Sequence, residues 1–308
     1  MNLKNIIFVL ISFLFLLSCS DIEQNQGNSS QSNNNSDFKN LNLTILIDLS
    51  DRISVSKNPE QPEKDIEIIA SVVDNFKKFL AKKGVIHSED KLKVIFYPVI
   101  QYDIFKSIAD SLFIDFGKLE FTERKITYEI ISSIFNHNLR KLYSIASKAN
   151  TFPGSDLFNY FKHRIIDDCI ISNSNYINIL VILTDGYIYH EKSKYLQENR
   201  VSYLAPESNQ VKLLRNMNNW EEHFYSKDFG LIKIDNDLSN LNLLICEFNP
   251  IYDSPKDFDI MKLYWSKWLE EQKVKKDNYK IIKTEITSIN KNLINTFFEN
   301  IFRKYYVN

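Results

Sequence analysis

Three stretches of this chain leave few folds open to it. Leu43-Thr-Ile-Leu-Ile47 runs straight into Asp48, Ile177-Asn-Ile-Leu-Val-Ile-Leu-Thr184 runs into Asp185, and Leu241 to Phe248 forms a third. Strands apolar at successive positions, rather than at alternate ones, are buried on both faces, and that happens almost only in parallel sheets covered by helices. Between them the apolar residues change to helical spacing. Ile66, Ile69, Ala70, Val73, Phe76 and Leu80 predict one helix, Phe158, Phe161 and Ile165 another. A long helix capped by Thr122 is expected to bury Ile126, Ile130, Ile134, Leu142 and Ala146. Ser254-Pro255 reads as a helix start, with Phe258, Met261, Trp265 and Trp268 on one face, and Ser288 opens a terminal helix carrying Leu293, Phe297, Ile301 and Tyr305. Lys91 to Val99, an edge strand from Leu112 to Phe116, and Tyr279 to Thr284 complete the sheet. Strands alternating with helices define an α/β domain, Rossmann-like, with a mostly parallel central sheet flanked by helices, over residues 40–308. One excursion breaks the alternation after Thr184-Asp185-Gly186. There Tyr187–Tyr189 and Arg200–Tyr203 are expected to pair as a hairpin, and Val211, Leu214, Met217 and Trp220 to form a helix after Pro206.

The amino terminus speaks to compartment. Lys4 precedes an apolar run, Ile6 to Leu17, interrupted only by Ser12. It is short for a membrane span and has the anatomy of a secretion signal. It ends in Leu16-Leu17-Ser18-Cys19, which resembles the lipobox of bacterial lipoproteins. That resemblance implies cleavage after residue 18, Cys19 as the first mature residue, and a palmitate-type acyl anchor on it. Residues 20–38 are nearly all polar and cannot bury enough apolar surface to offset the entropy of ordering, so residues 19–39 are expected to be a lipidated cysteine and its disordered tether. Ser20-Asp21-Ile22-Glu23 resembles the acidic signals that send some lipoproteins of the Bacteroidetes group to the cell surface, although a solvated acidic tether has the same composition. The expected location is the cell envelope, at the outer membrane, with surface exposure open.

Several function classes drop out. With 38 basic and 39 acidic residues in 308, the formal charge of −1 leaves no electrostatic footprint for nucleic acid. Cys169 and Cys246 sit in apolar settings without a CxxC or His/Cys cluster, so two buried thiols are expected and no structural metal site. Asp115-Phe116-Gly117 lacks the glycine-rich and catalytic loops of a kinase, and His190-Glu191 lacks the second histidine of a zinc protease. No GxSxG elbow, P-loop or GxGxxG is present.

What remains is three polar clusters at the ends of buried strands or the starts of helices. They are Asp48-Leu-Ser50-Asp51-Arg52, Pro153-Gly154-Ser155-Asp156 and Thr184-Asp185-Gly186. In open α/β sheets ligands collect at the carboxyl ends of the strands. In their order and strand context, over about residues 41–250, these clusters resemble the von Willebrand factor type A domain. That family carries a metal-ion-dependent adhesion site built from an Asp-x-Ser-x-Ser loop, a threonine in a second loop and an aspartate after a later strand. Carried over, the resemblance implies Asp48, Ser50, Ser155 (in the threonine's place) and Asp185 as ligands of Mg²⁺ or Mn²⁺, with Asp51 and Asp156 beside them.

Mg²⁺ binds about six hard oxygens and keeps several waters, so a few carboxylates and hydroxyls from converging loops suit it. The plainer alternative makes the aspartates turn residues and Ser155 a helix cap. Arg52 departs from the family pattern by standing where the second serine belongs. Either it pairs with Asp48 or Asp185 and takes the cation's place, or it points outward and leaves the ion to the others. The resemblance implies a lipid-anchored protein that binds a protein partner, through an acidic side chain completing the ion's coordination; with no complete catalytic set in the sequence, an enzyme is not expected. Two other functions fit the same residues: a metal-free assembly scaffold with a degenerate site, and a metal-assisted hydrolase in which Asp48 and Asp185 hold an ion that activates water.

Overall fold

Strand β1 (Asn40–Asp48) lies at the middle of a six-stranded sheet, paired in parallel with β2 (Lys91–Tyr97) on one side and β5 (Tyr176–Leu183) on the other. The structure is a computed structural model and describes residues 38–98, 103–148, 152–252 and 254–306. The signal segment, Cys19 and the tether up to residue 37 lie outside the described residues. Beyond β5 come β10 (Leu241–Phe248) and β11 (Tyr279–Lys283), both parallel; at the opposite edge β3 (Phe113–Asp115) runs antiparallel to β2. The spatial order is β11-β10-β5-β1-β2-β3. Counted in chain order, this is the 3-2-1-4-5-6 arrangement of doubly wound sheets, which reverses direction between β1 and β5.

The three apolar runs sit where sequence places them because each strand feeds two cores. Leu41, Leu43, Ile45 and Ile47 face one, with Ile179, Val181 and Leu183 of β5. Leu46, Leu180, Ile182, Leu243 and Ile245 face the other. The first core is closed by helices α1 (Gln61–Lys83), α2 (Asp103–Ser111), α3 (Phe121–Ala146) and α9 (Thr287–Tyr306). The second is closed by α4 (Leu157–His163), α5 (Ile165–Cys169), α6 (Asn209–Arg215), α7 (Trp220–Ser226) and α8 (Pro255–Glu271), with Trp265 and Trp268 fully buried. A mixed α/β fold with a mostly parallel central sheet between helices is therefore present as expected. Cys169 and Cys246 are free and buried. Among the described residues no helix is long and apolar enough to cross a membrane.

Two local expectations need correction. Helix α3 is capped by Glu120, not Thr122, through a reciprocal capping box with Glu123. Its buried stripe begins at Ile131 and continues through Phe135, Leu139, Leu142 and Ala146, while Ile126 and Ile130 stay 59% and 45% exposed. At 26 residues the helix is about 39 Å long, whereas β2 with seven spans about 23 Å, so the first turns extend past the strands that would cover them.

The excursion after β5 also differs. Ile188 and Leu204 do pair as an antiparallel bridge. But β6 (Tyr189–His190) pairs with β4 (Gly154–Ser155), and β8 (Arg200–Val201) joins β7 (Leu196–Gln197) and β9 (Gly230–Leu231) in a separate three-stranded sheet. The expected single helix is two, α6 and α7, parted around Asn216–Asn219.

Candidate functional site

The crevice at the reversal point between β1 and β5 brings the three clusters together. Ile47 is paired with Leu183, so the next residues along, Asp48 and Thr184, emerge side by side. The Thr184 hydroxyl donates to Asp48 Oδ2 at 2.9 Å, and the backbone N–H of Ser50 donates to Oδ1 at 3.1 Å. Asp48 is wholly buried and Ser50 is nearly so. Burial raises the Asp48 pKa; the nearby Arg52 charge and the Thr184 and Ser50 hydrogen bonds pull the other way.

One residue past Thr184, Asp185 accepts from the Tyr187 N–H at 3.0 Å, and Gly186 donates back to the Thr184 hydroxyl at 3.2 Å. Burial first, then the negative charge of Asp48, push Asp185 up to about 7. Gly186 has φ +92°, and a Cβ there would lie 2.4 Å from the Phe248 ring, so this turn admits only glycine without rearrangement.

Ser155 reaches the same crevice by an unexpected route. The β4–β6 pair clamps the second loop to the segment after β5, with Gly154 opposite His190 and Ser155 opposite Tyr189. Gly154 has φ +89°, and a Cβ would stand 2.2 Å from the Tyr189 carbonyl oxygen. Ser155 is 4% exposed and its Oγ has no hydrogen-bond partner. It nonetheless lies near enough to Asp48 to favour that carboxyl's charged form. The Ser155 hydroxyl is thus directed to the Asp48 carboxyl without forming a well-shaped hydrogen bond to it.

Arg52 takes neither of the two expected courses. Its Nε donates to the backbone carbonyl of Asp48 at 3.0 Å, and the guanidinium then turns inward to Asp65 on α1, with Nη1 3.3 Å from Oδ1 and Nη2 2.6 Å from Oδ2. Both side chains are buried, at 3% and 0% exposure. Asp65 also accepts from the Tyr143 hydroxyl and from Gln61 Nε2, and Gln61 links on to Glu247, which Asn290 contacts from α9. Arg52 is thus the head of a buried polar network beneath the loop, and neither Asp48 nor Asp185 has a direct ion pair with it.

The flanking acids are already engaged. Asp51 is exposed and pairs with Lys57 at 2.5 Å. Asp156 Oδ2 accepts from Asn159 at 3.1 Å and lies 3.8 Å from His190 Nδ1, while its buried Oδ1 has no partner. An open cleft of about 960 Å³ adjoins the second loop, walled by Asp51, Val55, Lys148, Phe152, Gly154 and Tyr189. Among the described residues no three His, Cys, Asp or Glu side chains stand together as a metal site. The donors gathered here are two carboxylates and hydroxyls.

Two partners of the candidate residues, Thr184 for Asp48 and Asp65 for Arg52, were not singled out from the sequence. Thr184 was visible as part of Thr-Asp-Gly, and the strand pairing gives it a role. Asp65 has a weaker signal, an acid on the same helical stripe as Ile69, Val72 and Phe76.

No family model matches the chain. No curated protein matches it either. Among solved structures, proximal thread matrix protein 1 (PTMP1) from the mussel byssus is 12% identical with a TM-score of 0.38, covering 85% of this chain and 48% of its own. The pilus adhesin SpaC from Lactobacillus rhamnosus GG, in its open conformation, is 9% identical with a TM-score of 0.40, covering 87% of this chain and 30% of its own. The chain thus spans less than half the length of either protein.

Proposed function

We propose that this chain is an envelope lipoprotein, anchored through Cys19, whose von Willebrand factor A-like domain over residues 40–308 binds a protein partner through a divalent cation. Asp48, Ser50, Ser155 and Asp185 would hold the ion, Mg²⁺ or Mn²⁺, with Thr184 orienting Asp48. The observation that carries the reading is the meeting of Asp48, the Ser155 hydroxyl and Asp185 where β1 and β5 end, with Thr184 holding Asp48 in place. Hard oxygens of this kind fit Mg²⁺, which keeps open positions for water or a partner's carboxylate. When bound, the ion supplies an electrophilic centre for that carboxylate. The chain's own residues position it, and Asp51 and the adjoining cleft meet the partner around it.

The inward turn of Arg52 favours this reading over the metal-free scaffold. A scaffold with a degenerate site is best served by a guanidinium neutralising Asp48 and Asp185, and here that charge is spent on Asp65. The test is partner capture from the native envelope with Mg²⁺, with chelator, and with Asp48→Ala. A partner retained by the wild type and released by both chelator and substitution supports the proposal. Retention that ignores chelator contradicts it.

A further inference from the structure

The end of the domain opposite the crevice has a chemistry of its own. Strand β1 begins there, at Asn40, eight steps of about 3.3 Å or roughly 26 Å from Asp48. The carboxyl ends of α1 and α9 reach the same pole. Tyr306 donates its hydroxyl to the Lys39 carbonyl at 2.6 Å, and its ring packs on Phe38 at 5.3 Å. Phe79, Phe302 and Tyr306 form an aromatic cluster, with centroid separations of 5.5, 5.8 and 4.9 Å. Lys82 Nζ stands 3.4 Å over the Phe302 ring. An open groove of about 510 Å³ runs between the two helices, walled by Phe79, Phe298 and Phe302 with Lys78, Lys82 and Arg303 against one acid, Glu299. Within the described residues the side chains of Lys78 and Arg303 make no ion pair or hydrogen bond. The helix macrodipole favours cations in a last turn, but it does not call for an aromatic floor beneath them.

We propose that this pole is a docking surface for the anionic headgroups of the membrane that holds the anchor. Unpaired Lys and Arg attract a negatively charged bilayer surface, and partly exposed Phe and Tyr rings suit the headgroup layer. The chain enters the domain at Phe38 on this same face, so a lipid on Cys19 would bring this pole to the bilayer first. The crevice with Asp48 and Asp185 would then face away from it, toward a partner. The membrane assignment rests on the anchor reading, whereas the headgroup contact is testable without any lipid on the chain.

Residues Asp37–Asn308 form one compact unit, so the chain from Ser20 onward, without lipid, serves as the probe. Its flotation is measured with phosphatidylcholine vesicles and with the same vesicles containing phosphatidylglycerol. Binding is expected only with the anionic lipid. Lys78→Glu/Arg303→Glu should weaken it at least 25-fold, at roughly fivefold per cation, and Lys78→Gln/Arg303→Gln by about that factor or less. Lys141→Glu/Lys162→Glu, an equal charge change elsewhere, should leave it unaltered. Indifference to phosphatidylglycerol, equal losses in both Glu pairs, or displacement by inorganic phosphate overturns the proposal. Mass spectrometry of the native amino-terminal peptide tests the anchor separately: an unmodified Cys19 sinks that reading and leaves the vesicle result to be judged by itself.

Discussion

Arg52 departs from the expected Asp-x-Ser-x-Ser pattern without entering the crevice. It stands where a serine would donate an oxygen, yet its guanidinium lies against Asp65 with both groups buried. Removing one partner of such a pair leaves an uncompensated charge and costs about 3–5 kcal/mol. Arg52→Ser, which restores the serine of the family pattern, should therefore destabilise the protein by that amount in denaturant melts. Replacing both partners, as Arg52→Met/Asp65→Leu, should recover most of the loss. An unchanged midpoint in Arg52→Ser would mean the ion pair is not formed. Asp185 gives a second expectation at this scale. Its folded pKa of about 7 lies above the unfolded value, so the folded state holds the proton more tightly. Its contribution to stability is then full below about pH 4 and is lost as the pH rises through about 7, by a few kcal/mol at most. Asp48 and Glu247 shift in the same direction. Metal-free protein should melt lower at pH 8 than at pH 5, and Asp185→Asn should flatten that slope. A slope as steep in Asp185→Asn as in the native protein removes this residue as a source. Sequence showed these acids and their order. It did not show where Arg52 points, because a buried ion pair joins residues from different elements and leaves only a lone acid on an apolar stripe as its trace.

Elements differ in how plainly the sequence declares them. The doubly buried strands β1, β5 and β10 are legible because nothing else in a folded chain tolerates such runs, and Leu241–Phe248 falls where its apolar residues place it. Helix α3 is harder, since Ile126 and Ile130 carry the right spacing in turns that overhang the sheet. Ile131→Ala should cost about 2–5 kcal/mol, and Ile126→Lys should stay within about 0.5 kcal/mol. Comparable losses at both positions would place the stripe wrongly. The β4–β6 pair is the least legible element, at two residues a strand, and it is the one that delivers Ser155. Gly154→Ala sets a Cβ against the Tyr189 carbonyl oxygen at a positive φ. It should destabilise by about 1–3 kcal/mol and weaken ion binding together with stability, whereas Ser155→Ala should weaken binding and leave the melting point near that of the native protein.

At the scale of the whole molecule, the α/β class and the meeting of the polar clusters at one sheet edge were both legible, because a parallel sheet brings its strand ends together and the order of strands decides which ends meet. Asp48 and Asp185 are far apart in sequence and adjacent in space for that reason alone. The chemistry of the opposite pole was not legible, since Lys78, Phe79, Phe302 and Arg303 become neighbours only when α1 packs on α9. The central claim, that the crevice is built for a divalent cation, is tested most directly by thermal melts of the native protein and Asp48→Ala in Mg²⁺, Mn²⁺ and chelator. At a hundredfold excess over the dissociation constant, binding stabilises the fold by about 2.7 kcal/mol. For a domain of this size that is a rise of roughly 5–10 °C. The account predicts that rise in the native protein and none in Asp48→Ala. A native melting temperature that is the same in metal and in chelator contradicts it.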